Sequence, residues 1–415
     1  MAIIKPFAAL RPEKNVAPLV ASVPYDVVNT EEAAELAKGN PLSLLNVSRS
    51  EITLPETVDH YSDEVYKKAN ENLLRIKKDA PLIVEDKPSL YLYKLVMNGR
   101  AQTGIAATFS VDDYDNNIIL KHEKTRKVKE DDRTKHIITT NAQTGPVFLT
   151  YKGIEKINKI VEEVTANENP IYDFTALDGV SHTVWILPEK FNSSLIDEIA
   201  KVEKLYIADG HHRAASASRA RSAKRDANNS HTGNEEYNFF IGVLFPAEEL
   251  KILSYNRVVL DLNEKTSIDF LNEVSEKFSV EKTLIKEPTS RNNFCMYLEG
   301  EWFLLKIRDS VLASNSLSNS VSDGLDVSIL QNFLLNPILA IDDPRTNKRI
   351  DFVGGIRGTS ELEKLVDSGK SKVAFSMYPV SVEDLMRISD AGEIMPPKST
   401  WFEPKLRDGL LIHTI

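Results

Sequence analysis

Residues 206–220 read "YIADGHHRAASASRA", setting Asp209, Gly210, His211, His212 and Arg213 between an apolar run and an alanine-rich one. The apolar run is a strand, glycine relaxes a tight turn, and the alanines begin a helix whose free amide hydrogens point back at that turn. Such a helix start favours an anion. Arg213 falls in the first helical turn, where a cation opposes the helix dipole, so its place makes better sense with phosphate or carboxylate beside it. His211 and His212 add groups that titrate near neutrality. Adjacent helical residues point in different directions, so a zinc ion chelated by both is disfavoured; one histidine with a carboxylate remains open. The plainer reading is that Asp209 caps the helix and the histidines pack.

A second group, "KHEKTRKVKEDDR", follows the strand-like "NNIIL" and holds His122, Glu123, Thr125, Arg126 and Arg133. Glu123 has the chemistry of a general base or a magnesium ligand, and Arg133 that of a phosphate clamp. The alternative is a strand end with a solvated face of mixed charge. Near the N-terminus, "VPYDVV" carries Asp26 after Pro24, and "SLLNVSRSE" carries Arg49 and Glu51. Towards the C-terminus, "GGIRG" offers glycine backbone, while "MPPKSTWFEPK" offers Lys398, Ser399 and Lys405 as anion contacts.

The elements that must carry these groups alternate along the chain. Thr30 with Glu31 and Glu32 reads as the cap of a short helix, and helical spacing from Val58 to Ile76 predicts a long amphipathic one beginning near Pro55. Asn98-Gly99 between "SLYLYKLVM" and "AQTGIAATFSV" predicts a tight antiparallel hairpin. Strand-like "PVFLTY", "HTVWIL" and "LYIADG" then alternate with two helical runs, so the class is mixed α/β, α+β. "EEYNFFIGVLF" and "LKILSYNRVVLDL" read as strands closing a first domain, residues 1–262. A domain over 263–415 follows, with the hairpin "FCMYLEGEWFLLKI" and several helices, and its last segment can return to the site.

Composition bounds the function. With 415 residues, 42% of them apolar, there is ample material for sizeable cores. No apolar stretch approaches the ~20 residues of a membrane helix, and the N-terminus lacks signal-peptide features, which reads as cytoplasmic. The single cysteine, Cys295, excludes a disulfide framework and reads as a small buried hydrophobe. A net charge of −10 argues against a general nucleic-acid surface. A small ligand is expected.

The ordered set "ALRP", "VPYDVV", "HEKT", "DDR", "YIADGHHRAA", "YNRVV", "GGIRG" and "MPPKSTWFEPK" resembles the domain-of-unknown-function 1015 family over essentially the whole chain. More remotely, the "DGHHR" element resembles the phosphate-binding turn of the ParB/sulfiredoxin-like superfamily, which includes free serine kinases. That likeness implies a ParB/sulfiredoxin-like core with large insertions plus a C-terminal α+β region. It implies a kinase forming O-phosphoserine from ATP or ADP with Mg²⁺; Asp209, Gly210, His211 and Arg213 match that element while His212 replaces its Thr, and Gly210, His212, Arg213, Arg133 and Thr125 are expected to hold the nucleotide phosphates. Glu123, His122, Asp209 and His211 would then serve in catalysis, Asp26, Arg49, Lys398 and Ser399 would meet the substrate, and the metal would sit on Glu123 or Asp209. A phosphoserine phosphatase or a nucleotide-binding regulator stays open as an alternative. ParB-type DNA partition and sulfiredoxin chemistry fit poorly, for want of a basic surface and of a cysteine near the turn.

Overall fold

The computed structural model describes residues 2–315 and 320–415 and divides them into two compact units. Unit 1 comprises residues 1–121, 125–250 and 404–415; unit 2 comprises 122–124 and 251–403. The class is mixed α+β, as the alternation predicts. Among the described residues no helix is long and apolar enough to cross a membrane.

Unit 1 is built from α1 (Asp63–Asp79), β1 (Tyr91–Met97), β2 (Arg100–Ser110), α2 (Lys127–Thr140), β3 (Val147–Tyr151), α3 (Glu155–Asn167), β4 (Ser181–Ile186), α4 (Asn192–Ala200), β5 (Leu205–Asp209), α5 (His211–Ala227) and β6 (Phe239–Pro246). Its nine-stranded sheet runs Ile119–Leu120, β5, β3, β6, β2, β1, β4 and Tyr172–Thr175, with Ile4–Lys5 added on β2. The β1–β2 hairpin turns at Asn98 and Gly99, whose φ angles of 52° and 77° are the positive pair that Asn-Gly supplies cheaply. β3 pairs parallel with β6 and antiparallel with β5, so the C-terminal end of β5 lies beside the start of β3.

The core of this unit joins Ile105 and Phe109 of β2, Leu149 of β3, Ile207 of β5 and Phe240 of β6 to Ile157 of α3 and Leu195 of α4. Each of these side chains contributes about 1.5–3 kcal/mol by leaving water. That rigid base fixes where β5 ends and α5 begins.

Three elements differ from the sequence expectation. The short helix Thr30–Ala37 is capped by Asn29 and not by Thr30, because Asn29 and Glu32 close a reciprocal capping box. The long helix starts at Asp63, since residues 55–62 are spent in turns. The charged run beyond Arg126, read alternatively as a strand end with a solvated face, is α2, whose first residues Lys127 and Val128 are exposed.

Unit 2 holds a wholly antiparallel six-stranded sheet. Its strands are β7 (Tyr255–Val259), β8 (Phe278–Lys282), β9 (Asn293–Leu298), β10 (Glu301–Ile307), β11 (Ile350–Gly354) and β12 (Val373–Met377), in the order β8-β10-β9-β12-β7-β11. The run "YNRVV", expected to close the first domain, is β7 and pairs here with β11 and β12. Cys295 is fully buried on β9, which pushes its thiol up to about 12 and leaves it inert, as its apolar setting predicts.

Candidate functional site

β5 delivers Asp209 to its C-terminal end, and the chain reverses through Gly210, whose φ of 93° is left-handed. α5 then starts at His211 without a side-chain cap. An absent Cβ at Gly210 also lets the Arg213 guanidinium fold back over the turn; a Cβ there would lie 3.1 Å from Arg213 Cζ.

Arg213 is buried and much of its fork is engaged. Nη1 donates to the Pro146 carbonyl, Nη2 lies 3.4 Å from Asp209 Oδ2, and Asp26 Oδ1 is 3.7 Å away. Lys405 Nζ reaches the same Asp209 oxygen at 3.3 Å. Burial pushes the Asp209 carboxyl upward, but Lys405 and Arg213 outweigh it, so the group is held ionised well below the usual carboxylate range. The arginine in the first helical turn therefore has two internal carboxylates beside it, Asp209 and Asp26.

A third carboxyl completes the cluster. Asp408, in the segment 404–415, is only 1% exposed, and its backbone bridges to Ser22. Burial pushes it up to about 7; Arg213 opposes that shift and Asp26 adds to it. Its side chain faces a cavity of about 30 Å³ lined by Tyr25, Ser48, Arg133, His136 and Arg213 among others. His136, deep in the same wall, falls to about 4 through burial and the charge of Arg133.

Unit 1 thus gathers Asp26, Asp209, Gly210, His211, His212 and Arg213. His212 Nε2 accepts the amide hydrogen of Arg126 at 3.1 Å, so this imidazole carries its proton on Nδ1. Arg133 is also in unit 1, and much of its fork is engaged: Nε and Nη2 donate to Asp132 at 3.0 Å, Nη1 donates to the Ser48 carbonyl at 3.0 Å, and the guanidinium lies 4.3 Å above the Tyr25 ring. These bonds brace α2 internally and take three of the donors that the expected phosphate clamp would use. Arg49 is likewise engaged, with Glu51, with the carbonyls of Tyr25 and Val28, and with Thr30 Oγ1, which pins the loop that carries Asp26. Thr125 donates its hydroxyl to Glu130.

His122, Glu123, Lys398 and Ser399 belong to unit 2. His122 Nε2 is 3.3 Å from Thr400 Oγ1, and Ser399 donates its hydroxyl to the Pro396 carbonyl at 2.6 Å. Lys398 has a left-handed φ of 55° and places its ammonium over the Tyr255 ring. Glu123 lines a cavity of about 400 Å³ with Lys124, Asp323, Asp343, Arg345 and Pro397. The residue that sequence reasoning missed is Asp408. Followed by Gly409, it looks like an ordinary turn aspartate, and no local pattern marks it as buried.

Among the described residues no group of three or more His, Cys, Asp or Glu side chains is arranged to hold a metal ion by itself. A family model described as "Protein of unknown function (DUF1015)" matches residues 4–328. No curated protein matches the chain. Solved structures similar to it include a conserved hypothetical protein from Pyrococcus furiosus, at 13% identity and TM-score 0.34, covering 74% of this chain and 94% of that one. A free serine kinase in complex with AMP is similar at 11% identity and TM-score 0.34, covering 74% and 91%. SbnI with a C-terminal truncation from Staphylococcus aureus is similar at 10% and 0.36, covering 73% and 85%. Scores this low carry no argument about what this chain binds or does.

Proposed function

The chain belongs to the DUF1015 family of proteins of unknown function, and we propose that it is a nucleotide-dependent phosphotransferase acting on a small hydroxyl compound, with free serine the first substrate to test. The observation that carries this reading is the start of α5: a helix of ordinary length, entered through a left-handed glycine and without a side-chain cap, flanked by Arg213 and Lys405. That combination of amide dipole and cations suits a phosphate.

Phosphoryl transfer asks the protein mainly for positioning and charge stabilisation. In this reading the amides at the start of α5 take the nucleotide phosphates. Lys405 and Arg213 balance charge, and Asp209, held ionised, would be the carboxylate that holds Mg²⁺. A single protein carboxylate suits that ion, which keeps several waters and takes its other ligands from phosphate oxygens. Asp26, about a third of whose side chain is exposed beside Arg213, is the carboxylate in unit 1 that an acceptor hydroxyl reaches. The expected serine-binding role of Arg49 is not retained, because four of its hydrogen bonds already go to Glu51, Tyr25, Val28 and Thr30.

The test incubates the purified full chain with serine, Mg²⁺ and either ATP or ADP. Phosphoserine formation and a nucleotide-induced rise in melting temperature are expected, and both should fall at least tenfold or vanish in Asp209→Asn. No phosphoserine and no nucleotide stabilisation would reject the reading. Release of phosphate from phosphoserine without nucleotide would assign hydrolysis instead.

A further inference from the structure

Two carboxylates, Asp26 and Asp209, lie against the Arg213 guanidinium, Lys405 is a further cation on Asp209, and a third carboxyl, Asp408, lines one cavity with Arg213 and Arg133. Like charges this close do not all ionise at neutral pH. Geometry selects which one gives way. Asp209 has Lys405 and Arg213 in direct contact, and Asp26 is partly solvated. Asp408 is 1% exposed, and its Oδ1 has no hydrogen-bond partner. The carboxyl is pressed against Gly145, where a Cβ would overlap it, so its place depends on that glycine.

The cavity it faces is built for water. Asp408 Oδ1, Ser48 Oγ and Arg213 Nε all lack partners, and all three residues line the same space. Its volume of about 30 Å³ holds roughly two waters, at ~10–15 Å³ each. Other charged or titratable groups facing Asp408 are Arg133 and His136 on α2, Tyr25, and the Asp26 and Asp209 already named.

We propose that Asp408 is the proton-binding partner of the anion site, so that a phosphate group docking at the start of α5 is taken up together with a proton on Asp408, reached through the hydrated cavity. This rests on the phosphate reading of that helix start. The added negative charge next to Arg213 offsets the larger of the two cationic influences, Arg213 and Arg133, that favour ionised Asp408, and a carboxyl poised near neutrality then gains its proton. No bond is broken in this step: the proton comes from solvent and the carboxylate becomes a carboxylic acid.

The experiment is isothermal titration of the full chain with ADP, and separately with inorganic phosphate, at pH 7 in buffers of different ionisation enthalpy. Wild-type protein is expected to take up about half a proton per site, the most that a carboxyl already half protonated at that pH can gain. Asp408→Asn, which keeps the shape and removes the titration, should still bind but with no uptake from this group. Binding by wild type without proton exchange, or equal uptake in the variant, would overturn the inference while leaving the phosphate site standing. Absence of any binding would overturn both.

Discussion

Asp408 illustrates how a single side chain in this protein is placed against its own stability. Its carboxyl is buried and titrates at about 7, whereas an unfolded aspartate titrates near 3.9. Between those values the folded state holds a proton that the unfolded state has lost. Stability from this group is thus fully present below about pH 4 and is lost as pH rises through 7. Asp408→Asn removes that penalty, so the variant should be more stable than wild type by roughly 2–4 kcal/mol at pH 8 and nearly equal to it at pH 4, as read by urea unfolding. A variant destabilised equally at both pH values would show that the carboxyl is an ordinary packing partner. Arg49 and Arg133 teach the converse: both carry the charge a phosphate site asks for, but much of their donor capacity goes to carbonyls and carboxylates that no spacing rule reveals.

At the scale of elements, the strand, turn and helix of the candidate site were legible because their signals are local. An apolar run, a glycine with φ of 93° and an alanine-rich run need no distant partner to declare themselves. Gly210→Ala should cost roughly 1–2 kcal/mol for the left-handed backbone and displace the Arg213 guanidinium that packs on the turn. Thermal melts with and without ADP check both effects: a melting temperature lower by several degrees, and a smaller nucleotide-induced rise. An unchanged pair of melts would show the turn to be permissive and the site misplaced. α2 was illegible for the opposite reason. Its buried face is largely polar, with Asp132, Thr134, His136 and Thr140 facing inward. Asp132 is satisfied by Tyr66 and His136 by the Val47 carbonyl. A helix whose inner face is held by tertiary hydrogen bonds leaves no apolar period to read.

For the whole molecule, the decisive feature is that the chain's last segment is part of unit 1. Residues 404–415 bury Leu406, Leu410, Leu411 and Ile412, exchange two backbone hydrogen bonds between Leu10 and Ile412, and supply both Lys405 and Asp408. The four aliphatic side chains together are worth on the order of 10 kcal/mol, comparable with the whole stability of a domain. Ending the chain at Glu403 should therefore abolish the cooperative melt of unit 1 and its response to ADP, with unit 2 retaining slow hydrogen exchange in its sheet. A truncated protein that melts like the full chain would refute this. By itself the sequence determined the mixed class, the Asn-Gly hairpin, the buried cysteine and the turn at Asp209 to Arg213, because each is dictated by backbone preference, side-chain polarity or hydrophobic spacing within a few residues. Only the tertiary structure decided which charges meet at that turn. Lys405 and Asp408 arrive there from nearly two hundred residues away, while Arg133 and Arg49 are drawn into internal pairs; such meetings depend on the packing of distant segments, which no local pattern encodes.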